Sequence, residues 1–294
     1  MKKADVNFPP EIWPGPMEGI GREAFVNTVN ALELTDRWMT PFFRVSTAVP
    51  KKGKIRDFIT PFQNGNVPVC VQLMGTCGKL LGEVGAVFAE TGADSININF
   101  GCPSQRVCAG GAGGGALKHP ELLAQLCCEV KAALPENMEL SVKLRTGWSD
   151  PQEMFYFLPE LANCGAVGKF FIHYRTVKEL YSPTPLEFRH TRLAEAVKLC
   201  ADIPAVVNGD IDSVQCAGRL LTETGAVGVM SARPWMHDPF LLLRLKGRTD
   251  LPDIAAGQDI FFAEAQKQQV PKGTLLELAR LLWGTQSPRF KKLL

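Results

Sequence analysis

The sequence predicts an α/β fold, a closed (β/α)8 (TIM) barrel followed by a small C-terminal helical domain, and three observations point to it. Eight short apolar segments bounded by turn residues recur between residues 12 and 231. Stretches of helical period separate them, and the alternation stops after Phe240. Short apolar strands, each followed by a helix, imply parallel pairing through right-handed crossovers. Eight such units match a closed barrel better than an open doubly wound sheet.

The first strand, Ile12–Met17, is the least regular, because Pro9, Pro10, Pro14 and Pro16 shorten it. Met39–Val45 and Val69–Met74 follow. Leu80, Leu81, Val84, Val87 and Phe88 then recur at helical spacing until Gly92 closes the helix. After strand Ser95–Asn99, a proline-started helix over Pro120–Leu134 carries Leu122, Leu123, Leu126 and Val130 on one face. Glu139–Leu144, Phe170–Tyr174, Ala205–Asn208 and Gly228–Ser231 complete the eight strands. Beyond them, Leu275, Leu276, Leu278, Leu281, Leu282 and Trp283 read as helix, with Gly257 and Pro271 as breaks. The expected domains are 1–240, the barrel, and 241–294, the helical part.

With 294 residues, 46% of them hydrophobic, the chain can bury a large core. No apolar run reaches the ~18 residues of a membrane span. Met1-Lys2-Lys3 leads into Asp5, Asn7 and prolines instead of a signal-peptide core, so a cytoplasmic location is expected. The nine cysteines are scattered and lack a Cys-x-x-Cys pair, which argues against a disulfide framework or a zinc site and for small core residues. Net charge is +2, yet residues 240–294 hold nine Lys/Arg against five Asp/Glu. A basic tail on a near-neutral body suits a polyanionic partner.

In a barrel of this kind the reactive groups stand at the C-terminal strand ends, and here those ends are polar. They offer Pro16-Met17-Glu18, Gln72, Asn99 with Cys102, Lys143 with Arg145, His173 with Arg175, Asn208-Gly209-Asp210, and Ala232-Arg233. Cys102 stands in a Gly/Pro turn directly after its strand, the mounting of a reactive group. The glycine-rich chain after it reads as a loop, with Gly110–Gly115 expected to be mobile and to close over Cys102. Asn208-Gly209-Asp210 and Ala232-Arg233 follow the seventh and eighth strands, where such barrels hold phosphate. Gln72 and Lys143 offer an amide and an ammonium, which suit the pyrimidine edge of a flavin.

These same residues carry a family resemblance. Pro16-Met17-Glu18-Gly19, Val71-Gln72-Leu73, Asn97-x-Asn99-x-Gly101-Cys102-Pro103-Ser104, Gly113-Gly114-Gly115, Ser141-Val142-Lys143-x-Arg145-x-Gly147-Trp148, His173-x-Arg175-Thr176 with Tyr181, Asn208-Gly209-Asp210-Ile211 and Gly228-Val229-Met230 stand in order. In these motifs the chain resembles the tRNA-dihydrouridine synthases over residues 14–240, nearest the bacterial DusC-like branch. The resemblance implies a flavoenzyme that reduces a uridine of tRNA to 5,6-dihydrouridine with NADPH through FMN. Cys102 would protonate C5 as general acid. Pro16, Met17, Gln72, Lys143, His173, Asn208, Gly209, Asp210, Ala232 and Arg233 would hold the cofactor, and Asn99, Arg145 and Arg175 the substrate. The expected partner is tRNA, with no membrane and no metal, and the chain is expected to be a monomer. Contacts to RNA are expected from a basic loop at Lys51-Lys52-Gly53-Lys54-Ile55-Arg56 and from Arg244, Lys246, Arg248, Lys272, Arg289, Lys291 and Lys292.

Three departures stand out. Ala232-Arg233-Pro234-Trp235 replaces the family's Gly-Arg-Gly-Ala, Tyr174 replaces a small residue and is expected to narrow the substrate side of the pocket, and 241–294 is shorter than the family's RNA-binding bundle, so either the chain is shortened or RNA docks differently. Two other readings stay open: an FMN-dependent barrel that reduces a small molecule, and an RNA-binding barrel whose flavin site has decayed at Pro234 and Trp235.

Overall fold

The computed structural model describes residues 10–268 and 270–294; the reading of Met1 to Pro9 lies outside the described residues. In chain order the elements are β1 (Glu11–Pro14), α1 (Glu23–Ala31), β2 (Trp38–Met39), β3 (Phe43–Arg44), α2 (Lys52–Gln63), β4 (Val69–Met74), α3 (Gly78–Glu90) and β5 (Ser95–Phe100). Then come α4 (Gln105–Ala109), α5 (Leu123–Ala133), β6 (Glu139–Arg145), α6 (Met154–Asn163), β7 (Lys169–His173), α7 (Leu186–Leu199), β8 (Ala205–Asn208), α8 (Val214–Thr224) and β9 (Gly228–Ser231). Five helices close the chain: α9 (Arg233–His237), α10 (Leu241–Leu245), α11 (Ile254–Lys267), α12 (Lys272–Trp283) and α13 (Pro288–Lys291).

All pairings are parallel, in the order β1-β9-β8-β7-β6-β5-β4-β2, with β3 also on β4. Among the described residues no ladder joins β1 to β2, so the barrel is nearly closed. The expected strand Met39–Val45 is two pieces. Pro41 has no N–H for the ladder, and the chain leaves β4 there and rejoins it at Phe43.

Strand period sets up the site. Trp13, Met39, Cys70, Phe171, Val206 and Met230 point inward and form an apolar plug. Two residues further along the same strands, on the same face, stand Gln72, His173 and Asn208. The alternate residues Val71, Ile98, Val142, Leu144, Ile172 and Val207 are fully buried against the helices. Above the plug, at the C-terminal ends, the inward positions are polar and open to a ligand, whereas those at the other end are closed by Lys169 paired with Glu11.

The helices after β9 are continuous with the barrel's packing. Phe261 of α11 packs on Phe25 of α1, at 5.7 Å between ring centroids, and Trp235 meets Phe25 at 5.4 Å and Trp38 at 6.0 Å. Trp235 is 2% exposed, and its indole N–H donates to the carbonyl of Pro239. Trp235→Ala should therefore cost about 3–5 kcal/mol by opening a cavity between α1, α9 and α11. Urea unfolding checks this; an unchanged midpoint would mean the helices hold without that ring.

Candidate active site

A cavity of about 680 Å³ opens at the C-terminal ends of the strands. Its lining includes Pro16, Met17, Gln72, Asn99, Cys102, Lys143, Arg145, His173, Asn208, Gly209, Asp210, Ala232 and Arg233. The fold thus brings together every residue expected at the site except Arg175.

Cys102 is mounted by Asn99. The Oδ1 atom of Asn99 accepts from the backbone N–H groups of Gly101 (3.0 Å) and Cys102 (2.5 Å), and its Nδ2 donates to Gln72 Oε1 (2.8 Å). Gln72 is fully buried and donates to Asn97 Oδ1 (2.8 Å) and Met39 Sδ (3.5 Å). Its amide N–H groups therefore serve the barrel interior, and only its carbonyl oxygen keeps a lone pair for a ligand. Asn99, expected to meet substrate, chiefly fixes the cysteine turn. Burial pushes the Cys102 thiol up from its ordinary value, and nearby Glu18 adds to this against the opposing pull of Arg145 and Arg44. The group is a thiol at neutral pH, a proton donor.

The glycine-rich stretch after Cys102 differs from the expected mobile loop. Residues 105–109 form α4, and Gly113–Lys118 is a 3-10 helix with all three glycines of Gly113–Gly115 buried. Gly114 N–H donates to the Cys102 carbonyl (2.8 Å). A Cβ on Gly113 would lie 3.1 Å from that of Cys102. The glycines let this turn pack behind the cysteine; they do not cover it.

Across the cavity the charges are mostly positive. Lys143 donates to Asn208 Oδ1 (3.1 Å), and Asn208 Nδ2 donates to the Met230 carbonyl (2.7 Å). Burial, and then the Arg145 charge, bring Lys143 down to about 7. His173 is held well below its ordinary value by burial and the surrounding cations, so it is neutral. Its Nδ1 accepts from the Arg175 backbone N–H (3.2 Å), which leaves Nε2–H as a donor. Arg145 donates to the carbonyls of Gly101 (2.8 Å), Thr176 (2.9 Å) and Leu180 (3.0 Å), bracing the cysteine turn from the side.

Asp210 is the anionic hub. It accepts from Arg175 Nη2 (2.6 Å), Tyr174 Oη (2.8 Å) and Arg233 Nη2 (2.7 Å), and these partners outweigh its burial and hold its carboxyl below the usual range. Two expectations are corrected here. Arg175 does not border the cavity: it is 2% exposed and also donates to the Ser182 carbonyl, so it orders Asp210 instead of meeting substrate. Tyr174 does not narrow the cavity either; it is buried under Gly209, where any Cβ would lie 2.5 Å from its ring. Gly209, at φ +127°, is the residue that close approach demands.

A model of the family described as dihydrouridine synthase (Dus) matches residues 14–271. The chain belongs to the Dus family. It is 30% identical over 241 residues to the tRNA-dihydrouridine(16) synthase of Cupriavidus necator, across 80% of this chain and 73% of that one. It is 31% identical over 240 residues to the tRNA-dihydrouridine(16) synthase of Ralstonia nicotianae, across 79% and 72%. Among solved structures it is similar to a 2-naphthoyl-CoA reductase at TM-score 0.63 and 9% identity, across 81% of this chain and 50% of that chain, a likeness of fold alone.

The departures of this Dus chain resolve structurally. Trp235 lies in the core and not in the cavity. Pro234 borders the cavity in the first turn of α9, where no helical bond needs its N–H. The Ala232 methyl is accommodated by Gly15, where a Cβ would lie 2.5 Å away. The expected basic loop is the start of α2, and Lys52 pairs there with Glu90 (2.7 Å). Much of the basic tail is likewise engaged: Arg244 with Asp238, Lys246 with Asp36, Arg248 with Asp250, Arg289 with Asp259, and Lys272 with the Leu294 carbonyl. Lys51, Lys54, Arg56, Lys291 and Lys292 are exposed and have no ion-pair partner among the described residues. Sequence reasoning missed Phe42, Ile20 and Leu180 in the lining, which carry no signal beyond ordinary apolarity. It also missed buried Arg189, whose signal is an arginine on the buried stripe of α7 with Leu193 and Ala196. Among the described residues no helix is long and apolar enough to cross a membrane, and no cluster of three or more His, Cys, Asp or Glu could hold a metal.

Asn99→Ala should leave two backbone N–H groups of the cysteine turn without an acceptor, at about 1–3 kcal/mol. In the unaltered protein, alkylation of Cys102 by iodoacetamide, followed by peptide mapping, should be slower at pH 8 than that of exposed Cys77, because burial disfavours the thiolate. Faster labelling of Cys102 would contradict the raised thiol.

Proposed function

We propose that this chain is a flavin-dependent tRNA-dihydrouridine synthase that reduces a uridine of tRNA, at position 16, with FMN as the flavin and NADPH as the reductant. The observation that carries the reading is Cys102, fixed by Asn99 and half-buried so that its thiol is pushed up, facing a cation-lined cavity in a Dus barrel. Position 16 follows the names of the relatives above.

The donor set fits a flavin mononucleotide. Lys143 and His173 Nε2–H face the cavity and suit a ring that gains negative charge on reduction. Gly209, Asp210, Ala232 and Arg233 would face the phosphate, with Pro16, Met17 and Asn208 as walls. A flavin held there would supply the hydride that C6 of the uracil needs. Cys102 delivers the proton to C5, so that one hydride and one proton saturate the C5–C6 bond. The thiolate that remains is stabilised by the neighbouring Arg145 charge, and partial exposure lets solvent return its proton. Arg145 is also the cation placed to meet the substrate beside Cys102. The uridine must leave its stack to reach the cavity.

RNA would meet Lys51, Lys54, Arg56, Lys291 and Lys292, with 241–294 acting as a helical domain beside the barrel, and the chain would act as a monomer in the cytoplasm. A decayed flavin site is not favoured, because Trp235 lies in the core and Pro234 costs no helical bond, and the relatives named for tRNA speak against a small-molecule substrate.

Cys102→Ala should keep flavin affinity and NADPH-driven flavin reduction while lowering dihydrouridine formation by about 10²–10⁴-fold. In the unaltered enzyme with its flavin already reduced, uridine reduction should fall on the alkaline side, above the ordinary thiol value of 9.0, as the Cys102 acid is lost, and this limb is separate from any change near 7 that follows Lys143. Single-turnover kinetics measure both; full activity in Cys102→Ala would remove the cysteine from the chemistry. The logarithm of the affinity for tRNA, measured by filter binding, should fall linearly with log salt, and Lys54→Glu should make that slope shallower.

A further inference from the structure

We infer that Arg189, on the first turn of α7, is a positioning residue that turns the Gly209–Asp210 backbone toward the cavity to receive a phosphate dianion; this rests on the flavin mononucleotide reading above.

Arg189 is 4% exposed and lies behind the turn. Its Nη1 donates to the carbonyl oxygens of Gly209 (3.4 Å) and Asp210 (3.1 Å). Its Nη2 reaches Cys216 Sγ (3.3 Å) and lies 3.4 Å from His190 Nε2. A guanidinium has no lone pair to offer, so His190 accepts there, and its Nδ1–H faces Glu223. Cys216 adds a weak contact to the Asp210 carbonyl (3.8 Å). Arg189 thus holds two consecutive carbonyls, Cys216 adds to the second, and His190 with Glu223 backs the guanidinium.

The consequence follows from peptide geometry. No cis peptide occurs among the described residues, and in a trans peptide C=O and N–H point in opposite directions. With both carbonyls held by Arg189, the N–H groups of Asp210 and Ile211 face away from it. Gly209 and Asp210 border the cavity. Neither N–H meets a protein acceptor among the described residues. Of the two donors, that of Asp210 stands at the cavity wall and that of Ile211 lies behind it, Ile211 being fully buried. A turn with φ of +127° and +50° would offer the Asp210 N–H to an anion, and the non-glycine Asp210 is supported there by Arg189.

Charge points the same way. No carboxylate pairs with Arg189 among the described residues, and its Nε has no hydrogen-bond partner. Asp210 is already engaged with Arg175 and Arg233. A buried guanidinium without a counter-ion is costly, and an anion on the far side of the turn supplies the missing charge.

The test compares FMN with riboflavin, which lacks the phosphate, by flavin fluorescence titration of the full chain. The unaltered protein should prefer FMN by roughly a hundredfold. Arg189→Met, similar in length and apolar, should cut that preference by about tenfold or more while leaving riboflavin affinity unchanged, and Arg189→Lys should fall between. A preference kept intact in Arg189→Met would overturn the inference. If Arg189→Met does not fold, Arg189→Lys decides it, because a preference equal to that of the unaltered protein overturns it equally. Equal affinities of the unaltered protein for FMN and riboflavin would instead overturn the phosphate reading on which the inference stands.

Discussion

The site is governed by a surplus of positive charge that the barrel cannot dilute. Lys143, Arg145 and Arg233 border one cavity, Arg175 and Arg189 stand behind its wall, and the carboxylates facing it are Asp210 and the exposed Glu18. Beneath them the plug of Trp13, Met39, Cys70, Phe171, Val206 and Met230 removes water from the barrel interior, so the charges act on one another through a medium of low polarity. The titrating groups adjust in the expected directions. Lys143 comes down to about 7, His173 stays neutral, and Asp210 stays ionised. An anionic ligand relieves this surplus, and the proposed flavin mononucleotide, with a phosphate and a ring that becomes anionic on reduction, would relieve it at two places.

The opposite wall solves a different problem. A cysteine among cations would ordinarily ionise, and a thiolate could not donate a proton. Burial outweighs the pull of Arg145 and Arg44, and Cys102 keeps its proton. Asn99 then fixes where that proton is offered, by holding the Gly101 and Cys102 N–H groups on one carbonyl oxygen. The same Arg145 that fails to ionise the thiol is available to stabilise the thiolate once the proton has gone. Acid strength and position thus have separate causes: burial, partly opposed by Arg145, sets the first, and Asn99 sets the second.

What could be read from the chain follows from the same physics. Gln72, Asn99, Lys143, Arg145, His173 and Asn208 are polar residues at inward positions near the ends of apolar strands, and period two places them on one face without further information. The barrel itself is legible for that reason. Arg175, Tyr174 and Trp235 were not, because each takes its role from a partner distant in sequence: Asp210 for the first two, Phe25 and Trp38 for the third. Charge counts misled in the tail, where Arg244, Lys246, Arg248 and Arg289 close local ion pairs. The glycines after Cys102 suggested motion, but composition does not distinguish freedom from close packing, and Gly113–Gly115 serve the second.

The central claim is that this cavity reduces a uridine inside an RNA. The most direct measurement is mass spectrometry of the nucleosides of a tRNA transcript free of modification, after incubation with the protein, FMN and NADPH. A gain of two hydrogens on uridine, dependent on all three components, is the expected result. Oxidation of NADPH with no change in the RNA, and equal turnover when the RNA is left out, would contradict it.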